Sequence, residues 1–136
     1  MGLDRSKHRK LCTRWDLPGS AHYLTFSCLD RRPLLRSPRS AAWFFEAVGQ
    51  AKGKCPFDLW AYVVMPEHVH LVVRPHDGVP VRSILYQIKK PVTTWAIAWA
   101  HRHDESSLRW MEDRRPDGRL VRRFWLRGGG YDRNLR

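Results

Sequence analysis

Apolar and polar residues alternate from Ala21 to Leu29, with Leu24, Phe26 and Cys28 on one side and Thr25 and Ser27 on the other. That period of two predicts a strand with one buried face. Two longer apolar runs, Phe57 to Val64 and His68 to Pro75, are joined at Met65-Pro66-Glu67 and read as a pair of strands. Between the first strand and this pair, Trp43, Phe44, Ala47, Val48 and Ala51 recur at helical spacing. Ser37 before Pro38 supplies an N-cap and a first-turn proline, and Gly53 between Lys52 and Lys54 predicts the end of that helix. Ile84, Ile88, Val92, Trp95 and Trp99 mark a second helix, which Pro91 is expected to kink or to divide into two shorter ones.

The segment from His101 to Arg119 is polar and mixed in charge. Pro116-Asp117-Gly118 reads as a turn between short strands at Leu108 to Asp113 and Arg119 to Leu126, and Gly128-Gly129-Gly130 as a flexible hinge. Residues 1 to about 20 are basic (Arg5, Lys7, Arg9, Lys10, Arg14) and end in Leu17-Pro18-Gly19-Ser20, which predicts an arm, 1–20, ahead of a domain at 21–136. The order β-α-β-β-α-β predicts an α+β, ferredoxin-like fold, an antiparallel sheet with helices on one face.

His68 and His70 add chemistry to this pattern. On a strand they share one face with Cβ atoms ~7 Å apart, while Val69, Leu71 and Val73 point to the core. Two imidazoles so placed can converge on one cation, or they can be ordinary hydrogen-bonded, half-exposed histidines.

Composition narrows the partners. With 136 residues, 43% of them hydrophobic, and seven tryptophans, the chain can bury one core. It contains no run of eighteen apolar residues and no apolar stretch after the charged N-terminus, so neither a membrane span nor a secretory signal is predicted. Cys12, Cys28 and Cys55 are widely spaced and odd in number, which argues against a disulfide framework or a zinc knuckle and predicts reduced thiols in the cytoplasm. Twenty-five Lys and Arg against thirteen Asp and Glu give a net charge of +12, the footprint of a nucleic-acid binder. No single helix collects the basic residues on one face, which disfavours a membrane surface. Candidate phosphate contacts are Arg31, Arg32, Lys89, Lys90, Arg122 and Arg123. For each, a solvated surface charge is the alternative.

The stretch Tyr62-Val-Val-Met-Pro-Glu-His-Val-His-Leu-Val-Val73 resembles the signature of the IS200-like tyrosine transposases and their REP-associated relatives, members of the His-hydrophobic-His class of single-strand nucleases. Tyr23-Leu-Thr-Phe-Ser27 with Arg31-Arg-Pro-Leu-Leu35 is similar to the family's first strand and its exit. Phe124-Trp-Leu-Arg127 with Tyr131-Asp-Arg-Asn-Leu-Arg136 is similar to its late Trp-rich segment. The resemblance implies an open sheet face holding a divalent metal, Mg²⁺ or Mn²⁺, on His68 and His70. It also implies single-stranded or hairpin DNA as partner, homodimers as in many relatives, and cleavage through a tyrosine that forms a 5′-phosphotyrosine link.

In the family that tyrosine lies on a helix after the Trp-rich segment, followed one turn later by an Asn or Gln. By that placement the catalytic helix falls beyond Arg136, so the domain is expected to be truncated relative to the family. Tyr131, behind the glycine hinge, is the remaining candidate nucleophile, but it falls where relatives carry a non-catalytic aromatic. Glu67 replaces the commoner Asn, and it either serves the turn, the preferred reading, or adds a carboxylate near the metal. A transposase-type DNA-binding domain that does not cleave by itself is therefore expected, against a non-catalytic basic module for single-stranded nucleic acid. A histidine-triad hydrolase would need a third histidine at Val72, and a two-histidine phosphoesterase a hydroxyl residue at Leu71. An RRM-like RNA binder would carry stacking aromatics where His68 and His70 stand.

Overall fold

Strand register decides which side of the sheet is covered. In the computed structural model, which describes residues 19–128 and 130–135 and only the backbone at Tyr131, β1 (Ala21–Ser27) is followed by α1 (Pro38–Lys54), β2 (Phe57–Val64) and β3 (His68–Pro75). Then come α2 (Val81–His103), a short hairpin of β4 (Glu112–Arg114) and β5 (Leu120–Arg122), and β6 (Tyr131–Leu135). The main sheet has the order β2-β3-β1-β6 with every neighbouring pair antiparallel. With the hairpin set aside, this is the ferredoxin-like β-α-β-β-α-β path. The basic arm foreseen at 1–20 lies, up to residue 18, outside the described residues.

Leu24 pairs with Leu71 and Phe26 with Val69, so one face of β1 and β3 is continuous and apolar. That face packs against Phe44, Ala47 and Ala51 of α1 and Ile84, Ile88 and Val92 of α2, all buried. Both helices lie on this side. The other face carries Tyr23, Thr25, Ser27, His68 and His70, and no helix among the described residues lies over it. Helix α1 begins as its sequence dictates: the Ser37 hydroxyl accepts a hydrogen bond from the Ser40 N–H at 3.1 Å, and Pro38 fills the first turn. It runs one residue past Gly53, to Lys54.

Three expectations need correction. Helix α2 runs unbroken from Val81 to His103 through Pro91. Interior proline costs ~3 kcal/mol, but Ile84, Ile88, Val92 and Ala96 form one buried stripe on both sides of it, and their packing keeps the two halves in one helix. The strand foreseen at Leu108 to Asp113 is mostly a 3-10 helix, Glu105–Met111. Leu108 and Met111 stand three residues apart and are both buried, a spacing that a 3-10 turn satisfies and an alternating strand does not. The hairpin strands are accordingly short, three residues each, closed where Arg115 N–H donates to the Arg119 carbonyl at 2.8 Å. Finally, Gly130 is bound against β1 rather than poised as a hinge. Its φ is +60°, and a Cβ there would collide with the Thr25 carbonyl oxygen, so only glycine lets the chain turn into β6 this close to β1.

Among the described residues no helix is long and apolar enough to cross a membrane. Cys28 is buried and Cys55 half-buried, both as free thiols; Cys12 lies outside the described residues.

Candidate metal centre and nucleic-acid interface

Strand β3 is an interior strand, paired on both sides, so its alternation is rigid. His68 stands opposite Ser27, and His70 stands between Thr25 of β1 and Val63 of β2. Because Val69, Leu71 and Val73 are held in the core, both imidazoles are forced onto the uncovered face. There they converge: Nε2 of His68 and Nε2 of His70 are 2.8 Å apart, with the rings nearly perpendicular at 87°.

The far nitrogen of each ring is held as well. His68 Nδ1–H donates to the Glu67 carboxylate at 3.0 Å, and the His68 side chain keeps only 16% of its exposure. His70 Nδ1 contacts the Tyr23 hydroxyl at 2.6 Å and the Thr25 hydroxyl at 3.0 Å, with the Tyr23 ring stacked alongside. Burial, and secondarily the neighbouring His68, pushes the His70 pKa below the ordinary histidine value. The neutral form thereby favoured is the form that can ligate a metal.

The spacing of the two nitrogens tests the fit to a cation. Two nitrogens bound side by side to an octahedral ion through bonds of about 2.1 Å stand about 3.0 Å apart. On tetrahedral zinc the separation is about 3.3 Å. The observed 2.8 Å is a hydrogen-bond length, shorter than either, and the two nitrogens would part slightly to seat an ion. Among the described residues no cluster of three or more His, Cys, Asp and Glu side chains suited to a metal is formed, so any ion here would find two protein nitrogens at most.

The candidate phosphate contacts separate into three groups. Lys89 and Lys90 of α2 meet Arg122 and Arg123 around one cavity of about 300 Å³, which Arg127 and Tyr86 also line and which no carboxylate lines. Lys90 Nζ donates to the Tyr86 hydroxyl at 2.7 Å, Lys89 Nζ donates to the Gly128 carbonyl at 3.2 Å, and Arg123 is partly neutralised by Asp113 at 3.1 Å. Arg31 stands apart from them, its side chain 63% exposed and 4.0 Å from Glu67, beside the histidine face. Arg32 is engaged at the surface, donating to the Trp110 carbonyl at 2.8 Å and pairing with Asp30 at 3.3 Å. The cavity and the histidines are linked through the end of β1: Ser27 is opposite His68, and its carbonyl accepts from Leu126 N–H at 2.9 Å.

Arg127, Tyr23 and Thr25 escape the sequence reading as site residues. Tyr23 and Thr25 sit on the non-core side of β1, but only the pairing of β1 with β3 reveals that they back His70. Glu67 makes two contacts. Its carbonyl accepts from Cys28 N–H at 2.9 Å, which serves the turn, and its carboxylate holds His68.

Of the tyrosines with described side chains, only Tyr23 lies beside the histidines, at the nitrogen turned away from the converging pair. Tyr62 is on the helix side of the sheet against Phe45, and Tyr86 is on α2. The Tyr131 backbone is paired in β6 opposite Thr25.

No family model matches this sequence, and neither does any curated protein. Solved structures do match. A REP-associated tyrosine transposase bound to a REP hairpin superimposes with a TM-score of 0.66 at 20% identity, over 92% of this chain and 61% of that one. A candidate transposase from Deinococcus radiodurans R1 superimposes with a TM-score of 0.55 at 14% identity, over 93% of this chain and 85% of that one. At such identities the likeness is one of fold, and this chain has the fold seen in those transposases. It spans about three fifths of the length of the hairpin-bound protein.

Proposed function

We propose that residues 21–136 form a DNA-binding domain of the IS200-like, REP-associated tyrosine transposase type, which holds a divalent cation on His68 and His70 and a single-stranded or hairpin DNA across its basic surface. The convergence of two imidazole nitrogens at 2.8 Å on the uncovered sheet face supports this reading most directly. Mg²⁺ or Mn²⁺ suits the pair, with water and phosphate oxygens completing an octahedral shell. Such an ion, when bound, supplies electrostatic stabilisation of a phosphodiester oxygen that gains negative charge.

The protein's own groups do the rest. Glu67, Tyr23 and Thr25 orient the imidazoles, and Arg31 offers a guanidinium beside them. Lys89, Lys90, Arg122, Arg123 and Arg127 attract the sugar-phosphate backbone, and Tyr86 gives a ring at the same cavity. The basic arm at 1–20 would add phosphate contacts. No nucleophile is assigned to this chain. The domain holds DNA and metal without cutting, in keeping with the placement of Tyr23, Tyr62 and Tyr86 and with the strand pairing at Tyr131.

Affinity for a hairpin oligonucleotide should fall steeply as salt rises, because binding releases counterions from the DNA. Salt-independent or absent binding would remove any nucleic-acid role. Incubation with hairpin DNA and Mn²⁺ followed by a denaturing gel should show no covalent adduct. An adduct abolished by Tyr131→Phe would make this chain the nuclease itself. The stoichiometry of the DNA complex would tell a monomer from a homodimer.

A further inference from the structure

The two histidines of the pair differ in what stands behind them. A carboxylate only accepts hydrogen bonds, whereas a hydroxyl can donate or accept. The Glu67 carboxylate, 3.0 Å from His68 Nδ1 and itself 4.0 Å from Arg31, can therefore be satisfied by His68 only if that nitrogen carries the proton. The Nε2 of a neutral His68 is then a bare lone pair facing His70. His70 has no such restriction, because Nδ1 faces the hydroxyls of Tyr23 and Thr25.

We propose that Glu67 is a positioning residue for the cation site, fixing His68 in the tautomer that presents Nε2 to the ion, while Tyr23 and Thr25 leave His70 able to adopt either tautomer. The proposal rests on the metal reading given above. Without a cation, the 2.8 Å contact between the two Nε2 atoms needs one proton, and with His68 fixed that proton belongs to His70. Nδ1 of His70 then accepts from a hydroxyl. A cation seated at the two Nε2 atoms takes the place of that proton. The His70 ring then carries its proton on Nδ1 and donates to Tyr23 or Thr25, so no buried hydrogen-bonding group is left unpaired in either state. One ligand is locked and ready, and the other adapts.

Glu67 keeps 29% of its side-chain exposure, and its turn contact is made by its backbone carbonyl, so side-chain variants should keep the fold. The test uses the full chain as wild type, Glu67→Ala and Glu67→Gln, with free Mn²⁺ followed by electron paramagnetic resonance. Orienting partners of metal-bound histidines are worth ~10–100-fold in metal affinity. Glu67→Ala should weaken Mn²⁺ uptake by that factor, and Glu67→Gln should restore it to within a few-fold, because the amide oxygen accepts the same Nδ1–H. Nitrogen-15 spectra of the metal-free protein should show His68 protonated on Nδ1 in the wild type and Gln variant and mixed in the Ala variant, a change that a purely structural turn residue would not cause.

Wild-type affinity in Glu67→Ala, or a His68 tautomer unchanged in it, overturns the role of Glu67. If the wild type takes up no Mn²⁺, the metal reading itself fails, and the tautomer measurement alone then decides whether Glu67 fixes His68.

Discussion

Three histidine–carboxylate pairs among the described residues share one length; His76 with Asp58 is exposed, and the other two are put to opposite ends. His22 Nδ1 and Asp132 Oδ1 are 3.0 Å apart, and so are His68 Nδ1 and Glu67 Oε1. His22 and Asp132 are buried on the helix side, with 1% and 4% of their side chains exposed, and the pair fastens β6 to β1. His68 and Glu67 lie on the uncovered side, and the second nitrogen of His68 looks at another imidazole. The chemistry of the pair is shared, and the surroundings of the remaining nitrogen decide its use. Enclosed in the fold, the pair is a fastening; open to a second ligand, it is a candidate metal site.

Removing one member of each pair should separate these roles. Asp132→Ala leaves a buried imidazole without its carboxylate and should cost about 3 kcal/mol of stability in urea denaturation. Mn²⁺ uptake per folded molecule should be unaffected. A loss of metal uptake with unchanged stability would reverse the comparison. His68→Ala or His70→Ala should do the opposite, lowering Mn²⁺ affinity by about 100-fold while stability moves by no more than about 1 kcal/mol, since both side chains are only half-buried and no described helix packs over that face.

Smaller effects are expected at the basic cavity, which takes part in neither pair. Lys90→Ala and Arg127→Ala should each reduce the slope of log affinity against log salt for single-stranded DNA by about 0.7, leaving Mn²⁺ uptake alone. Unchanged slopes would place the DNA elsewhere. The smallest signal is at Cys28, where burial pushes the thiol up to about 12. Iodoacetamide at pH 8 should label Cys55 and spare Cys28, as read by peptide mass mapping. The raised value favours the protonated thiol in the fold, so its contribution to stability is complete below the ordinary thiol value of 9.0 and is lost as pH rises toward about 12.

Elements whose burial follows a simple period were legible in the sequence. The ends of β2 and β3 and the N-cap at Ser37 fall where the apolar runs, the turn that joins them and capping chemistry predict. So does the uncovered position of His68 and His70, because Val69, Leu71 and Val73 fix the opposite face. Tyr131-Asp-Arg-Asn-Leu135 has no such period, and it becomes a strand through backbone pairing with β1 and the contact of His22 with Asp132, 110 residues apart. The continuity of α2 was hidden for a related reason: local propensity at Pro91 opposes the helix, and tertiary burial on both sides overrides it. At the site, residue types on β3 named the candidate ligands. Their supports came from β1 and the turn, and only the register brings Tyr23 and Thr25 beside His70.

Asp30 and Arg31 both adopt left-handed backbone, with φ of 51° and 52°, just before the chain leaves β1 for α1. Glycine would relax each of them by about 1 kcal/mol, yet glycine at 31 would also delete the guanidinium that faces Glu67. A library screened for heat tolerance should therefore drift toward glycine at these two positions, while one screened for retention of DNA should hold the arginine and tolerate the twist.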